Sequence, residues 1–156
     1  MFAATPPLEA IKVLISLAAS QRGAKSIKKL MFIDVSKAYF HAPTKRSVYV
    51  RLPPEALAPG ENPREVCGRL NYSLYGTRDA AQNWEEEHTR FIKSLGFTAG
   101  LSSPCVFWHK GRGMQLVVHG DDFTILGEEA NLKWLSAQFQ GKFKITVRGI
   151  FWARWA

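Results

Sequence analysis

The sequence has 156 residues, 46% hydrophobic and 22% charged, a composition typical of one globular domain. The 21 Lys and Arg residues outnumber the 13 Asp and Glu residues, and the formal net charge of +8 favours a polyanionic partner such as nucleic acid. The two cysteines and four histidines show no metal-binding spacing, which argues against a disulfide framework or a structural zinc site. No stretch resembles a membrane span or a signal peptide, so we expect an intracellular protein with no membrane partner.

The first third of the chain predicts one helix and one buried strand. Pro6 and Pro7 follow Thr5, a suitable N-cap, and a helix ending near Gly23 would put one set of apolar side chains on its inner face. That set is Leu8, Ile11, Leu14, Ile15 and Ala18. LMFIDV, residues 30–35, is typical of a short buried strand with Asp34 near its end.

The middle of the chain predicts two further strands and the longest helix. SVYVRLPP from Ser47 and VCGRL at 66–70 favour strands, separated by a loop rich in Pro and Gly. From about Thr77 a helix is predicted, ended by Gly96. Its helically spaced inner residues are Ala81, Trp84, His88, Phe91, Ile92 and Leu95.

The last third predicts two successive hairpins, a helix and a final strand. CVFWH (105–109) and MQLVVH (114–119) are joined by KGRG, and FTIL (123–126) continues the strand pattern after GDD. EEANLKWLSAQF favours a helix with Leu132, Leu135 and Phe139 inward, followed by the strand FKITV. Residues 150–156 carry no pattern typical of a fold. The order of elements predicts an α+β fold.

Asp121 and Asp122 stand between two apolar runs, where burial of two like charges would be costly. A tight turn that exposes both carboxylates is the simplest explanation. Asp34 suggests a second one, because carboxylates delivered by neighbouring strands to one sheet edge form a site for a hard divalent cation. An acidic metal centre in a basic protein is what phosphoryl transfer on nucleic acid requires.

Five blocks, in order and in register, resemble the reverse transcriptases of copia-type retrotransposons. They are IDVSKAYFHA (33–42), SVYVRLPPEAL (47–57), RLNYSLYGTRDAAQNW (69–84), FIKSLGFTAGLSSPCVFW (91–108) and HGDDFTILG (119–127). The resemblance covers roughly residues 2–149. We predict a reverse transcriptase domain fragment over residues 1–149, with 150–156 as a non-matching tail. It implies the palm of a polymerase, an antiparallel sheet packed against helices, with the fingers incomplete and the thumb absent.

The resemblance also implies roles for single residues. Asp34, Asp121 and Asp122 match the catalytic aspartates that bind Mg²⁺, or Mn²⁺ in its place, with Asp34 and Asp121 as the main ligands. Because adjacent strand residues point to opposite faces, we expect Asp122 to be an auxiliary ligand. Tyr39 matches the aromatic residue that excludes a 2′-hydroxyl, with Phe40 beside it. From their pattern alone, both aromatic side chains could equally belong to the core.

Further matched positions imply contacts with the template and primer. Tyr75 and Gly76 match the block that precedes the long helix, and Gly76 would let a base or sugar approach the backbone. Arg78 could reach a phosphate or could be an ordinary surface residue. His119 and Gly120 stand where the family usually has tyrosine and a small aliphatic residue, so the setting of the aspartates is altered.

The function implied is an RNA-directed DNA polymerase, a nucleotidyltransferase acting on a primer 3′-hydroxyl. Its partners would be an RNA or DNA template with primer and deoxynucleoside triphosphates, in the cytoplasm or in virus-like particles. The alternative is a catalytically inactive nucleic-acid-binding remnant of such an element.

Overall fold

The computed structural model describes residues 6–21 and 27–151. The helices in this part of the chain are α1 (Leu8–Ala19), α2 (Ala80–Ser94) and α3 (Glu129–Lys142). The strands are β1 (Lys28–Val35), β2 (Tyr49–Val50), β3 (Gly68–Arg69), β4 (Thr98–Ala99), β5 (Val106–His109), β6 (Met114–His119), β7 (Asp122–Glu128) and β8 (Ile145–Phe151).

Six of the strands form one antiparallel sheet in the order β4-β5-β6-β7-β1-β8. The two remaining strands, β2 and β3, pair with each other in a separate small sheet. β1 therefore lies between two strands that come much later in the chain. The predicted α+β class is confirmed.

The alternation of side chains along β1 divides the core into two parts. Met31, Ile33 and Val35 point into the larger part, where they pack with residues of α2 and α3. Leu30 points to the opposite face of β1 and packs in the smaller part of the core with Leu14 of α1. The central sheet is consequently covered by α2 and α3 on one face and by α1 on the other.

α1 confirms a predicted helix but buries a narrower face than its sequence suggested. Leu14 and Ala18 are buried, whereas Leu8 and Ile15 are exposed. The helix ends at Ala19 rather than near Gly23, which, like the expected Thr5 cap, lies outside the described residues. An apolar periodicity shows which side chains could face a core, and the packing partner decides how many do.

The predicted strands near 47 and 66–70 are found, but each is only two residues long and pairs only with the other. β4 was not predicted, since two residues carry no periodicity. α2, with Gly96 at φ +92 after its end, and the hairpin of β5 and β6 confirm the prediction. β8 extends through Phe151, beyond the predicted FKITV.

None of the helices in the described ranges combines the length and apolarity needed to cross a membrane.

Candidate active site

β1 and β7 bring the aspartates together at one end of the central sheet. Asp34 and Asp122 are direct cross-strand partners in the antiparallel register. Directly opposed residues project from the same face of a sheet, so these two carboxylates share a face. This is the face that α1 covers only at its far end, near Leu30, and the side chain of Asp34 stays 28% exposed.

Asp121 occupies the tip of the hairpin between β6 and β7. His119 and Asp122 close the hairpin as cross-strand partners, which leaves Gly120 and Asp121 as a two-residue loop. The backbone N–H of Val35 donates to the carbonyl oxygen of Asp121 at 3.0 Å, so the tip is tied to β1 as well. The predicted tight turn is confirmed, and it keeps both adjacent carboxylates exposed to water.

Gly120 suits this turn. Its φ is +66, a left-handed value, and it is the first of the two central residues, as in the type II′ hairpin loop. Glycine adopts this backbone conformation without the steric cost that a Cβ would bring. The glycine at this position is therefore compatible with the tight turn that carries Asp121.

Trp84 of α2 has a role at the turn that the sequence did not predict. It is buried, as expected of a core residue, and its indole Nε1–H also donates to the carbonyl oxygen of Gly120 at 2.9 Å. The ring lines a cavity of about 40 Å³ behind the turn, together with Tyr39, His88 and Val118. Helical spacing indicated which way Trp84 points, but no sequence signal could have revealed its polar partner.

Tyr39, Phe40 and Tyr75 form an aromatic cluster beside the carboxylates. The ring of Tyr75 lies 4.4 Å from that of Tyr39 and 5.7 Å from that of Phe40, centroid to centroid. Tyr39 is half-buried against the core, whereas Phe40 and Tyr75 are exposed. The core alternative therefore holds in part for Tyr39 and fails for Phe40.

The pKa of Tyr75 shows that the aromatic cluster lies near the aspartates. Partial desolvation, and then the negative charge of Asp121, raise the pKa of Tyr75 above its usual value. Tyr39 and Asp34 contribute smaller effects in the same direction. The raised pKa keeps the hydroxyl of Tyr75 neutral, within electrostatic reach of Asp121 and, more weakly, of Asp34.

The other matched positions lie on the surface beyond this cluster. Gly76 has φ +86, and a Cβ built there would meet no atom within 4 Å, so its backbone is open to solvent. Arg78 is exposed and makes no ion pair with any described residue. It lines a shallow groove with Arg46 and Asp79, which form an ion pair of 3.0 Å.

Arg148 of β8 places a cation beside the acidic centre. Its Nη2 lies 3.7 Å from Oδ1 of Asp34, and its side chain is 66% exposed. Among the described residues, no three His, Cys, Asp or Glu side chains are arranged to hold a metal ion. The donor set nevertheless suits Mg²⁺, which proteins commonly hold through one or two carboxylates, the remaining ligands being water and substrate phosphates.

The chain belongs to the reverse transcriptase family: residues 1–151 match the sequence model described as reverse transcriptase (RNA-dependent DNA polymerase). Its relatives are Pol polyproteins of copia-type retrotransposons. It is 27% identical over 135 residues to the retrovirus-related Pol polyprotein from transposon TNT 1-94 of Nicotiana tabacum, covering 85% of this chain and 10% of that protein. It is 31% identical over 100 residues to the truncated transposon Ty1-A Gag-Pol polyprotein of Saccharomyces cerevisiae, covering 64% of this chain and 8% of that protein.

Proposed function

We propose that this chain is the palm core of an RNA-directed DNA polymerase, which transfers a nucleotidyl group from a deoxynucleoside triphosphate to a primer 3′-hydroxyl. The observation that carries the proposal is the direct pairing of Asp34 with Asp122, with Asp121 at the hairpin tip. Residues 1–149 remain the predicted extent of this domain. The chain spans about a tenth of the relatives it matches, so the polymerase activity of a whole polyprotein is part of the proposal.

Asp34, Asp121 and Asp122 would hold Mg²⁺, or Mn²⁺ in its place. The ions would lower the pKa of the attacking hydroxyl and stabilise charge on the leaving oxygen. The protein's own contribution is rigidity, since β1, β7 and the bond from Trp84 hold the carboxylates in one place. The pairing supports a stronger role for Asp122 than that of an auxiliary ligand, because its side chain shares a face with Asp34.

The aromatic cluster would bind the incoming nucleotide. Tyr39 and Phe40 would form the floor beneath its sugar, and Tyr75 and Gly76 would meet its base or the template. Arg78, His119 and Gly120 are proposed as contacts to the template and primer. A Tyr39→Ala variant is expected to incorporate ribonucleotides more readily, and unchanged sugar selectivity would remove Tyr39 from this role.

Primer extension on an RNA template, with Mg²⁺ or Mn²⁺, tests the polymerase proposal. Asp121→Asn and Asp34→Asn should each abolish extension, since each replaces a carboxylate with a neutral amide of similar size. Glu55→Gln is the matched control, because Glu55 is an exposed carboxylate on the loop after β2. Extension that survives both aspartate substitutions would refute the assignment of these residues.

A non-catalytic nucleic-acid-binding remnant is the alternative, and Arg148 is the observation that favours it. A guanidinium beside Asp34 offsets charge that a metal ion would otherwise neutralise. Absence of extension by the unaltered chain, together with retained binding of primer and template, would support this alternative over the polymerase.

A further inference from the structure

A groove beside the small sheet combines an exposed aromatic ring with unpaired arginines. We call it the arginine groove, and its lining residues are Tyr49, Val50, Arg51, Pro63, Arg64, Val66 and Cys67. Tyr49 is 59% exposed, although tyrosine is a residue that usually buries much of its surface. None of these residues belongs to the site formed by Asp34, Asp121 and Asp122 or to the aromatic cluster of Tyr39, Phe40 and Tyr75.

The arginines of this groove have no anionic partner among the described residues. Arg51 and Arg64 make no ion pair there, even though Glu61 and Glu65 belong to the same loop. Glu61 accepts a hydrogen bond from the backbone of Ala58, and Glu65 accepts one from the side chain of Asn62. The nearby carboxylates are therefore engaged within the loop, and the guanidinium groups remain available to an external anion.

The pairing of β2 with β3 places a third arginine, Arg69, next to Tyr49. Tyr49 and Arg69 are direct cross-strand partners, so their side chains leave the small sheet on one face. Arg69 is exposed and also lacks an ion pair with any residue that the structure describes. The register therefore places Arg69 on the same face of the small sheet as Tyr49, while Arg51 and Arg64 line the groove with it.

We propose that the arginine groove binds single-stranded nucleic acid, with Arg51 and Arg64 on backbone phosphates and an unpaired base stacked on Tyr49. Aromatic rings and arginines interleaved on an open surface are the elements that bind single strands without sequence preference. A duplex suits the groove less well, because its bases are stacked on one another and offer no free face to the ring. The inference extends the proposed function, in which an unpaired template strand must lie on the protein.

Cys67 provides a direct test of location. It is exposed in the groove, whereas Cys105 is buried, so iodoacetamide should alkylate Cys67 selectively and Cys105 serves as an internal reference. Saturating oligo(U) should slow alkylation of Cys67 several-fold, as measured by mass spectrometry. A self-complementary RNA duplex at equal phosphate concentration should protect it less. Equal protection by both ligands, or protection by neither, would overturn the proposal.

Substitutions test the two contact types separately. Tyr49→Ala should weaken oligo(U) binding about tenfold, with Tyr49→Phe near the unaltered chain, because the phenyl ring still stacks. Arg51→Ala with Arg64→Ala should reduce the salt slope of the binding constant by about 1.4, since each phosphate contact to a single strand contributes roughly 0.7.

The matched control for this double variant is Lys93→Ala with Lys110→Ala, which removes the same charge from exposed positions elsewhere. An equal loss of affinity in the control pair would show that net charge, and not the groove, binds the strand. Binding of poly-glutamate that matches oligo(U) in affinity and in dependence on Tyr49 would also overturn the proposal. If oligo(U) fails to protect Cys67 while the chain still extends primers, the groove proposal is rejected and the polymerase proposal stands. If oligo(U) protects Cys67 while the chain extends no primer, the polymerase proposal is rejected and the groove proposal stands.

Discussion

Gly120 is the residue whose backbone most directly shapes the acidic turn. At φ +66 a side chain costs conformational energy even though a Cβ would meet no atom within 4 Å. Gly120→Ala should therefore lower the free energy of unfolding by about 1 kcal/mol, as measured by urea denaturation. Gly141→Ala is the control, since Gly141 lies in α3 with open space around it and alanine favours a helix. Equal effects of the two substitutions would mean that the turn conformation is not what matters.

Trp84 couples a helix to that same turn through one hydrogen bond. Trp84→Phe keeps an aromatic ring in the core but removes the donor to Gly120, which should cost about 1 to 3 kcal/mol of stability. Hydrogen exchange of the peptide that contains the turn should accelerate at the same time. Trp108→Phe, at an exposed strand position, should change neither quantity appreciably. Unchanged exchange at the turn in Trp84→Phe would show that the indole only fills space.

Sequence reasoning succeeded at this scale where a residue's role follows from its neighbours in the chain. The turn at Asp121 could be foreseen because two apolar strand patterns stop on either side of it. The hydrogen bond from Trp84 and the cation at Asp34 could not, because each joins residues far apart in sequence. Trp84 and Gly120 are separated by 36 positions, and Arg148 comes from the last strand described.

At the scale of elements, α2 carries a buried histidine that makes folding sensitive to pH. Desolvation lowers the pKa of His88 from 6.5 to about 4, and its Nδ1 has no hydrogen-bond partner. Its ring packs against Trp84 and Phe123. His88 of the unfolded chain binds a proton as the pH falls below 6.5, whereas that of the folded chain does so only near pH 4, so stability falls as the pH decreases between these values.

This linkage gives an expected loss of about 2 kcal/mol between pH 7 and pH 5, from a shift of this size. Urea denaturation at both pH values measures it. His88→Gln should abolish most of the decline, whatever its effect on absolute stability, while His119→Gln should leave the decline in place. A decline of equal size in His88→Gln would assign the pH dependence to other groups.

The elements also show where periodicity is informative. α2 and α3 were foreseen because each presents a long apolar face to one sheet. The small sheet was placed in the right segments but overextended, since the number of paired residues depends on a partner strand that local sequence does not specify. The position of β1 between β7 and β8 is a property of tertiary packing and could be expected only through the family resemblance.

At the scale of the whole molecule, charge is distributed unevenly around the acidic centre. The net charge is +8, yet Asp34, Asp121 and Asp122 gather at one end of the sheet. Phosphates bound elsewhere release counterions from the nucleic acid, so affinity must fall with salt. The overall charge could be counted from the sequence, but its separation into an acidic end and an arginine groove required the fold.

The two phosphate contacts proposed for the arginine groove would weaken binding of a single strand about 7-fold between 50 and 200 mM salt, because the salt slope is roughly 0.7 for each contact. Fluorescence anisotropy with labelled oligo(U) in the absence of divalent ions measures this decline.

Asp34→Asn with Asp121→Asn should tighten binding of a primer–template under the same conditions, since two charges that repel the backbone are removed. The same double substitution should leave oligo(U) protection of Cys67 unchanged, because the groove and the acidic turn share no residue. Affinity that is independent of salt would contradict phosphate contacts altogether, and weaker primer–template binding after removal of the aspartates would contradict this distribution of charge.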